Sequence, residues 1–407
     1  MYSFAILASV DPGNEFLDMD IAQLMQITIT SVTKKPQNLS DAAAAVFVIT
    51  QDDIHRSGVT STPEALRMAP GLQVGRVDAN KWAITSRGFS GTFANKLLVM
   101  IDGRTVYSPA FSGVYWDAQD TLLDDIDRIE VIRGPGATIW GANAVNGVIN
   151  IITKKASDTR GGLISVGGGN QDQFMGGLRY GTQIGELGHG RAYLTYHKQN
   201  SFELHQTGED TFDDWDSLRT GFRMDSEPED KDSWTLQGDL YSNNENQIVS
   251  PFWLPEYPYF STKYDDFEAS GWNMLGRWRK KLSNTSSCTI QTYYDYTNRD
   301  EAIIEQTHRT FDLDLQYQTQ LGKRNNLVMG LGYRLVDADF DNTFQVSVFP
   351  QERSENLSSG FIQDEIMLAP DRLWLTLGAK WEHNDFTGNE IQPTAPGFLP
   401  ISHRHQQ

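Results

Sequence analysis

Asp125-Ile-Asp-Arg-Ile-Glu-Val-Ile-Arg-Gly-Pro-Gly-Ala-Thr-Ile-Trp-Gly-Ala-Asn-Ala-Val-Asn-Gly-Val-Ile-Asn-Ile-Ile-Thr-Lys154 is the stretch whose reading decides the fold. It reads as two strands around a glycine-rich corner. Ile126 to Arg133 alternates, with Ile126, Arg128, Glu130 and Ile132 on one side and Asp127, Ile129, Val131 and Arg133 on the other. Val148 to Ile152 is a second β-branched run. Between them Gly134, Gly136, Gly141 and Gly147 allow tight turns, and Pro135 stops the first strand. Asn143 and Asn146 suit turn hydrogen bonds. The glycines do not make a phosphate loop. Gly136 and Gly141 have the opening spacing, but Ala142 and Asn143 stand where Lys and Ser or Thr are needed. The dinucleotide fingerprint fails as well, because Ile139 occupies the third glycine position.

The same stretch resembles the end of the plug domain of TonB-dependent outer-membrane receptors. Their pattern I-D-R-I-E-V-I-R-G-P-x-x-x-x-x-G-x-N-A-x-x-G-V-I-N-I-I-T-K is matched from Ile126 to Lys154. Asp52-Asp53-Ile54, Pro63 to Arg67, Pro70-Gly71, Ser86-Arg-Gly-Phe89 and Leu98 to Gly103 also match the plug, so the resemblance covers about residues 27–155.

Composition bounds the class. No uninterrupted apolar run approaches 18 residues, which excludes a helical membrane protein but not a β-barrel of short strands. The 15 Tyr, 20 Phe and 10 Trp fit the aromatic girdles of such barrels. A net charge of −19 argues against a nucleic-acid partner, which wants a basic face. The lone Cys288 has no partner for a disulfide or a metal site.

The chain divides into four parts. Residues 1–26 are an N-terminal segment, in which Tyr2 to Val10 resembles the end of a signal peptide without its basic region. Asp18 to Met25 has the pattern of a short amphipathic helix. Residues 27–155 hold a β-prone peptide and the plug. Ala43 to Ile49 is a strand, and Thr50 caps a helix stopped by Gly58. Thr62 caps a second helix with Pro63 at its first position. Strands follow at Leu72 to Val77, Trp82 to Arg87 and Leu97 to Asp102, making an α+β domain.

Residues 156–390 change texture. Phe311, Leu313, Leu315 and Tyr317 alternate with Asp312, Asp314, Gln316 and Gln318, and similar alternation runs through Leu327 to Leu335 and Leu373 to Trp381. Connections alternate in length: 283–286, 322–325 and 370–371 are short, whereas 199–218, 243–269 and 339–356 are long. That asymmetry is the signature of an antiparallel transmembrane β-barrel segment. About eleven strands fit between Gly161 and Asp385, against the ~22 of plugged transporters. The reading is therefore a partial barrel, part of a chain incomplete at both ends. Residues 391–407 are an aberrant tail, with Pro393, Pro396 and Pro400 where the next strand belongs.

The resemblance also assigns sites. Ile27, Thr28, Ile29, Thr30, Ser31 and Val32 stand where the family has its TonB box, an extended peptide offered to a TonB-type energy-coupling protein as an added strand. A plain edge strand of the plug is the alternative. Arg87 and Arg133 stand where family arginines pair with barrel glutamates; the alternative is pairing inside the plug, with Glu130 or Asp102. Arg76, Lys81, Trp82, Phe93, Asn95, Phe111, Tyr115 and Trp116 are candidate ligand contacts, because aromatics with a few cations suit an anionic, aromatic metal chelate. Trp82 and Tyr115 packed inside the plug is the competing reading. Asp210, Asp213, Asp214 and Asp216 lack calcium-loop spacing, and His403 and His405 make no metal site. No metal, cofactor or catalytic constellation is expected.

The implied function is active uptake of a metal chelate, most simply a ferric siderophore, across the outer membrane of a Gram-negative bacterium. Cobalamin, haem and oligosaccharide are the alternative cargoes, and a non-functional fragment is the other outcome. A signalling receptor is disfavoured, because 26 residues before Ile27 are too few for an extra domain. A passive porin is disfavoured, because porins have no plug.

Overall fold

A computed structural model describes residues 4–5, 28–29, 37–38, 44–88, 91–133, 140, 144–226, 232–369, 373–395 and 397–398. The glycine corner at Gly134, Gly136 and Gly141, the segments Tyr2 to Val10 (apart from 4–5) and Asp18 to Met25, and His403 and His405 lie outside these residues.

The plug is built on five strands. These are β1 (Ala45–Thr50), β4 (Leu97–Ile101), β5 (Arg104–Thr105), β6 (Ile126–Arg133) and β7 (Gly147–Thr153), in the order β1-β6-β7-β4-β5. The two arms of the deciding stretch, β6 and β7, pair antiparallel, Val131 facing Ile149 and Ile129 facing Ile151. β4 pairs parallel to β7 on its other edge. Both sheet faces are covered, so the middle strands carry apolar side chains on both sides, with Glu130 and Asn150 as buried polar exceptions. One face packs Val99, Ile129, Val131, Ile149 and Ile151 against Ile54, Ala65 and Leu66. The other joins Leu98, Met100, Ile132 and Val148 to Ala144 and Ile29. At Gly147 a Cβ would lie inside contact distance of the Ile132 carbonyl, so only glycine lets β7 start here.

Helix α1 (Gln51–Ser57) forms as its sequence dictates: Thr50 and Asp53 make a reciprocal capping box, and Gly58 ends it in left-handed backbone at φ 70°. The second helix, α2 (Thr62–Ala65), differs from the expectation. Ser61 is its N-cap, and Thr62 instead donates its hydroxyl to Asp120 at 2.6 Å. A hairpin of β2 (Leu72–Arg76) and β3 (Trp82–Ser86) completes the plug.

Twelve antiparallel strands form the wall. They are β8 (Gly161–Gly167), β9 (Asp172–Gln183), β10 (His189–Gln199), β11 (Trp215–Ser226), β12 (Ser233–Trp253), β13 (Phe260–Lys281), β14 (Ser286–Asp300), β15 (Glu305–Leu321), β16 (Asn325–Asp341), β17 (Glu352–Ala369), β18 (Leu373–Asn384) and β19 (Gly388–Thr394). Each pairs with the next in chain order. Among the described residues β8 and β19 do not pair with each other, so the sheet is open.

Two sequence expectations change. Residues 243–269 are not a long loop: β12 and β13 continue through them as a hairpin of 21- and 22-residue strands, turning at 254–259. Nor does the alternation end before the tail. β19 runs to Thr394 with Pro393 opposite Ala379, which an edge strand tolerates because one row of its amides needs no partner. The 200–214 and 342–351 connections are loops as expected.

The wall inverts a soluble sheet. Ile164, Leu178, Leu240, Trp272, Leu331, Ile362 and Trp381 are exposed on the outside. Arg191, Arg219, Arg223, Asn243, Glu245, Arg299 and Gln306 are buried on the inside against the plug. Such a surface suits lipid outside and a polar lumen inside.

Candidate functional site

The seam between plug and wall is where alternation becomes function. Pointing every second side chain inward brings wall arginines to plug acids at successive heights. Near the 184–188 end, Asp125 meets Arg179 at 2.5 Å and Arg191 at 3.0 Å. One step up, Asp102 sits in the turn between β4 and β5 with φ 51°, left-handed backbone that Asp tolerates better than most residues. Its carboxylate accepts from the Thr153 amide (2.9 Å), the Thr153 hydroxyl (2.8 Å) and Gln237 (2.9 Å), and lies 3.6 Å from Arg223. Arg277 donates to its carbonyl. Burial would raise the Asp102 carboxyl, but Arg223 and these donors together hold it below the usual carboxylate range. Higher again the polarity reverses, and Arg104 of the plug pairs with Asp295 of the wall.

The uppermost tier grips the 3₁₀ turn Trp116–Ala118. Arg299 pairs with Asp117, Arg219 donates to the Ala118 carbonyl at 2.6 Å, Asn243 to the Asp117 carbonyl at 3.1 Å, and Gln306 to the Tyr115 hydroxyl at 2.8 Å. Burial pushes the Tyr115 phenol up to about 12 despite Arg299, so it is a neutral acceptor. Above the turn an aromatic ladder faces outward: Phe93 is 5.1 Å from Phe111, Phe111 4.9 Å from Tyr115, and the Arg299 guanidinium lies 4.3 Å over the Tyr115 ring. Phe93 is 65% exposed, and Asn95 is exposed beside it.

The other chelate candidates sit elsewhere. Trp82 and Trp116 are buried in the plug core. Trp82 donates to Glu64 at 2.7 Å and meets Trp215 edge-on at 6.2 Å. Arg76 is layered between Trp82 and Phe202, 5.0 and 4.9 Å from their rings, and bonds Gln199 at 2.6 Å, so it ties the hairpin to the 200–214 loop. Lys81 donates to Asn80 at 2.8 Å and pairs with Asp78 at 3.4 Å. Within the acidic loop Asp213 accepts from the Ala79 and Phe202 amides at 2.7 and 2.8 Å, an anchoring role rather than a cation site.

Arg133 donates to the Pro70 carbonyl at 3.3 Å, and Arg87 stands just after β3 at φ 61°. The intraplug partners weighed for them are engaged elsewhere: Glu130 with Arg128 at 2.8 Å, Asp102 with Arg223. Of the box, Ile27, Thr30, Ser31 and Val32 lie outside the described residues. Thr28–Ile29 pairs with Gln37–Asn38, and Ile29 is fully buried.

Sequence reasoning missed Asp117, Asp125 and the wall arginines. The signal available was Arg219, Arg223 and Asp225 at alternate positions of one strand, which marks a buried polar face once strand direction is known. A cavity of about 690 Å³ lies between the plug and β13 to β18, lined by Leu98, Met100, Arg128, Arg279, Gln316 and Glu355 among others.

Residues 38–148 match the TonB-dependent Receptor Plug Domain, and 154–403 match the TonB dependent receptor-like β-barrel. A vitamin B12 transporter BtuB of Vibrio cholerae is 32% identical over 182 residues, 45% of this chain and 29% of that protein. The ferripyoverdine receptor of Pseudomonas aeruginosa superposes with a TM-score of 0.68 at 17% identity, over 91% of this chain and 55% of that one. The ferric enterobactin receptor PfeA of the same organism gives 0.70 at 18%, over 89% and 61%. This chain thus spans somewhat over half of these solved receptors. Plug and wall match in the order in which they follow along the chain, and the chain belongs to the TonB-dependent receptor family.

Proposed function

We propose that this chain is the plug and adjoining wall of an outer-membrane receptor for active uptake of a metal chelate, with a ferric siderophore as cargo. The observation that carries the reading is the ladder of exposed Phe93 and half-buried Phe111 and Tyr115, backed by Arg299. Stacking and cation–π contact suit an anionic, aromatic chelate. The ladder stands directly on the turn that the wall grips, so cargo contact and plug seating meet at one place. Residues 27–32 serve as the TonB box for a periplasmic energy-coupling protein. The docked position of Ile29 means this peptide must leave the plug before it can pair with a partner. The work is transport driven by that partner, with no bond chemistry in the chain, and the setting is the outer membrane of a Gram-negative bacterium.

Cobalamin is the second reading, supported by the resemblance to the B12 transporter. Titrating the detergent-folded chain with a ferric catecholate, a ferric hydroxamate and cyanocobalamin, read by quenching of tryptophan fluorescence, separates the two. We expect saturable binding of a ferric chelate that weakens about tenfold in Phe111→Ala, about the loss of one aromatic contact. Binding of cyanocobalamin alone would replace the siderophore reading. Ferric-chelate binding indifferent to Phe93→Ala and Phe111→Ala would move the site off the ladder.

A further inference from the structure

The grip on the Trp116–Ala118 turn contains a charge imbalance. Asp117, Glu245 and Glu301 all face one guanidinium, that of Arg299. Asp117 is 5%, Glu245 1% and Arg299 5% exposed, so water does little to screen them. Lys81 is the next cation, and it is already engaged with Asp78 and Asn80. Arg219 is spent on the Ala118 carbonyl, and Tyr115 is neutral. Asp265, from the neighbouring strand, adds a further carboxylate bonded by Gln247 at 3.0 Å, with Lys263 3.9 Å away at the more exposed rim.

Glu245 is the odd member of this group. Its Oε1 accepts from Asn243 at 3.2 Å, but among the described residues its Oε2 has no hydrogen-bond donor, and it lies 3.8 Å from Arg299. Glu245 and Asp117 share their neighbours: the Asn243 side-chain amide donates to the Asp117 carbonyl at 3.1 Å and to Glu245 Oε1 at 3.2 Å, and the Arg299 guanidinium faces both carboxylates. Two ionised carboxylates in that relation would repel strongly in a dry site, whereas one proton between them makes a charge-assisted bond.

We propose that Glu245 is held as a neutral carboxylic acid donating to the Asp117 carboxylate, so that the grip on the plug apex is a proton-linked latch. A proton on Glu245 removes one buried charge and turns an oxygen lacking a donor into a donor itself. Burial would raise the Asp117 carboxyl, but Arg299 and the bond from Glu245 keep it below the usual range, as an acceptor should be. Losing the proton sets two buried carboxylates against each other beneath Tyr115 and loosens the turn from β12 and β14. The latch does not depend on which cargo is carried.

The test uses the whole chain folded in detergent. Infrared spectra of protein carrying ¹³C-labelled glutamate should contain a protonated-carboxyl band at neutral pH, shifted by the label and lost in Glu245→Gln. Glutamine keeps the shape and a donor, so this variant should retain folded, heat-modifiable migration. In wild type, amide exchange at Ala118 and Gln119, relative to an amide in the middle of β10, should rise about tenfold per pH unit once Glu245 ionises. Glu245→Gln should flatten that rise. Asp117→Asn, which removes the acceptor charge, should make the labelled band disappear at lower pH. A spectrum with no labelled acid band at neutral pH overturns the proposal, as does a Glu245→Gln variant whose apex exchange follows wild type across the titration. If both variants misfold, the wild-type labelled spectrum decides alone.

Discussion

Asp102 offers the sharpest test of how the plug is seated. It is 7% exposed and collects three hydrogen bonds plus the Arg223 charge. Removing one partner of a buried pair costs about 3–5 kcal/mol. Arg223 retains Asp225 at 2.8 Å, which favours the lower part of that range. The orphaned Thr153 amide adds about 1–3 kcal/mol, and alanine in left-handed backbone about 1–2 kcal/mol. Asp102→Ala should therefore destabilise the seating by about 4–6 kcal/mol, allowing for overlap between these terms. Asp102→Asn tolerates the same backbone and keeps one acceptor, so it should lose only about 2–3 kcal/mol. The assay is amide exchange at Thr153, whose N–H donates to Asp102, in the detergent-folded chain. A loss of 2–3 kcal/mol appears as a roughly 30- to 150-fold faster exchange, while amides in β10 stay unchanged. The pH dependence has a definite sign. The folded carboxyl is depressed, so its contribution is complete above the unfolded value near 3.9 and fades as pH falls through the lower folded value. Asp102→Asn should abolish that acid sensitivity. Equal exchange in Ala and Asn variants, or a change below about 1 kcal/mol for alanine, would refute the account.

Three further outcomes follow. Thr50→Ala removes the capping box of α1 and should lower plug stability by about 1 kcal/mol, read as a shifted denaturant midpoint; Thr50→Ser, which keeps the hydroxyl, should retain most of it. Gly147→Ala forces a Cβ toward the Ile132 carbonyl, so the β6–β7 pair should open at a cost of about 1–3 kcal/mol, seen as faster exchange at Ile149 and Ile151; unchanged exchange would count against the close approach. Ile29→Pro removes a backbone donor and fixes φ, and it should abolish pairing of the box with the energy-coupling protein in the intact receptor. Wild-type transport by that variant would remove residues 27–32 from the coupling role.

The sequence alone determined the local and periodic features. β6 and β7 were legible because Ile126 to Arg133 and Val148 to Ile152 carry their own pattern, and Thr50 with Gly58 marked both ends of α1. The wall was legible because one apolar and one polar face impose period two along its strands. The strand ends were not: whether 243–269 is a loop or an extended hairpin rests on pairing between residues such as Asn246 and Asp266, which no local propensity encodes. The seam was least legible. Arg76 read as a candidate ligand contact, and Trp82 as either that or a residue packed inside the plug; tertiary packing sets them against Phe202, Gln199 and Trp215. Asp117 read as nothing in particular, because its meaning depends on Glu245 and Arg299, 128 and 182 positions further along the chain. Such buried charges are stable only as a group, and only the closed packing of plug against wall decides which charges share a site.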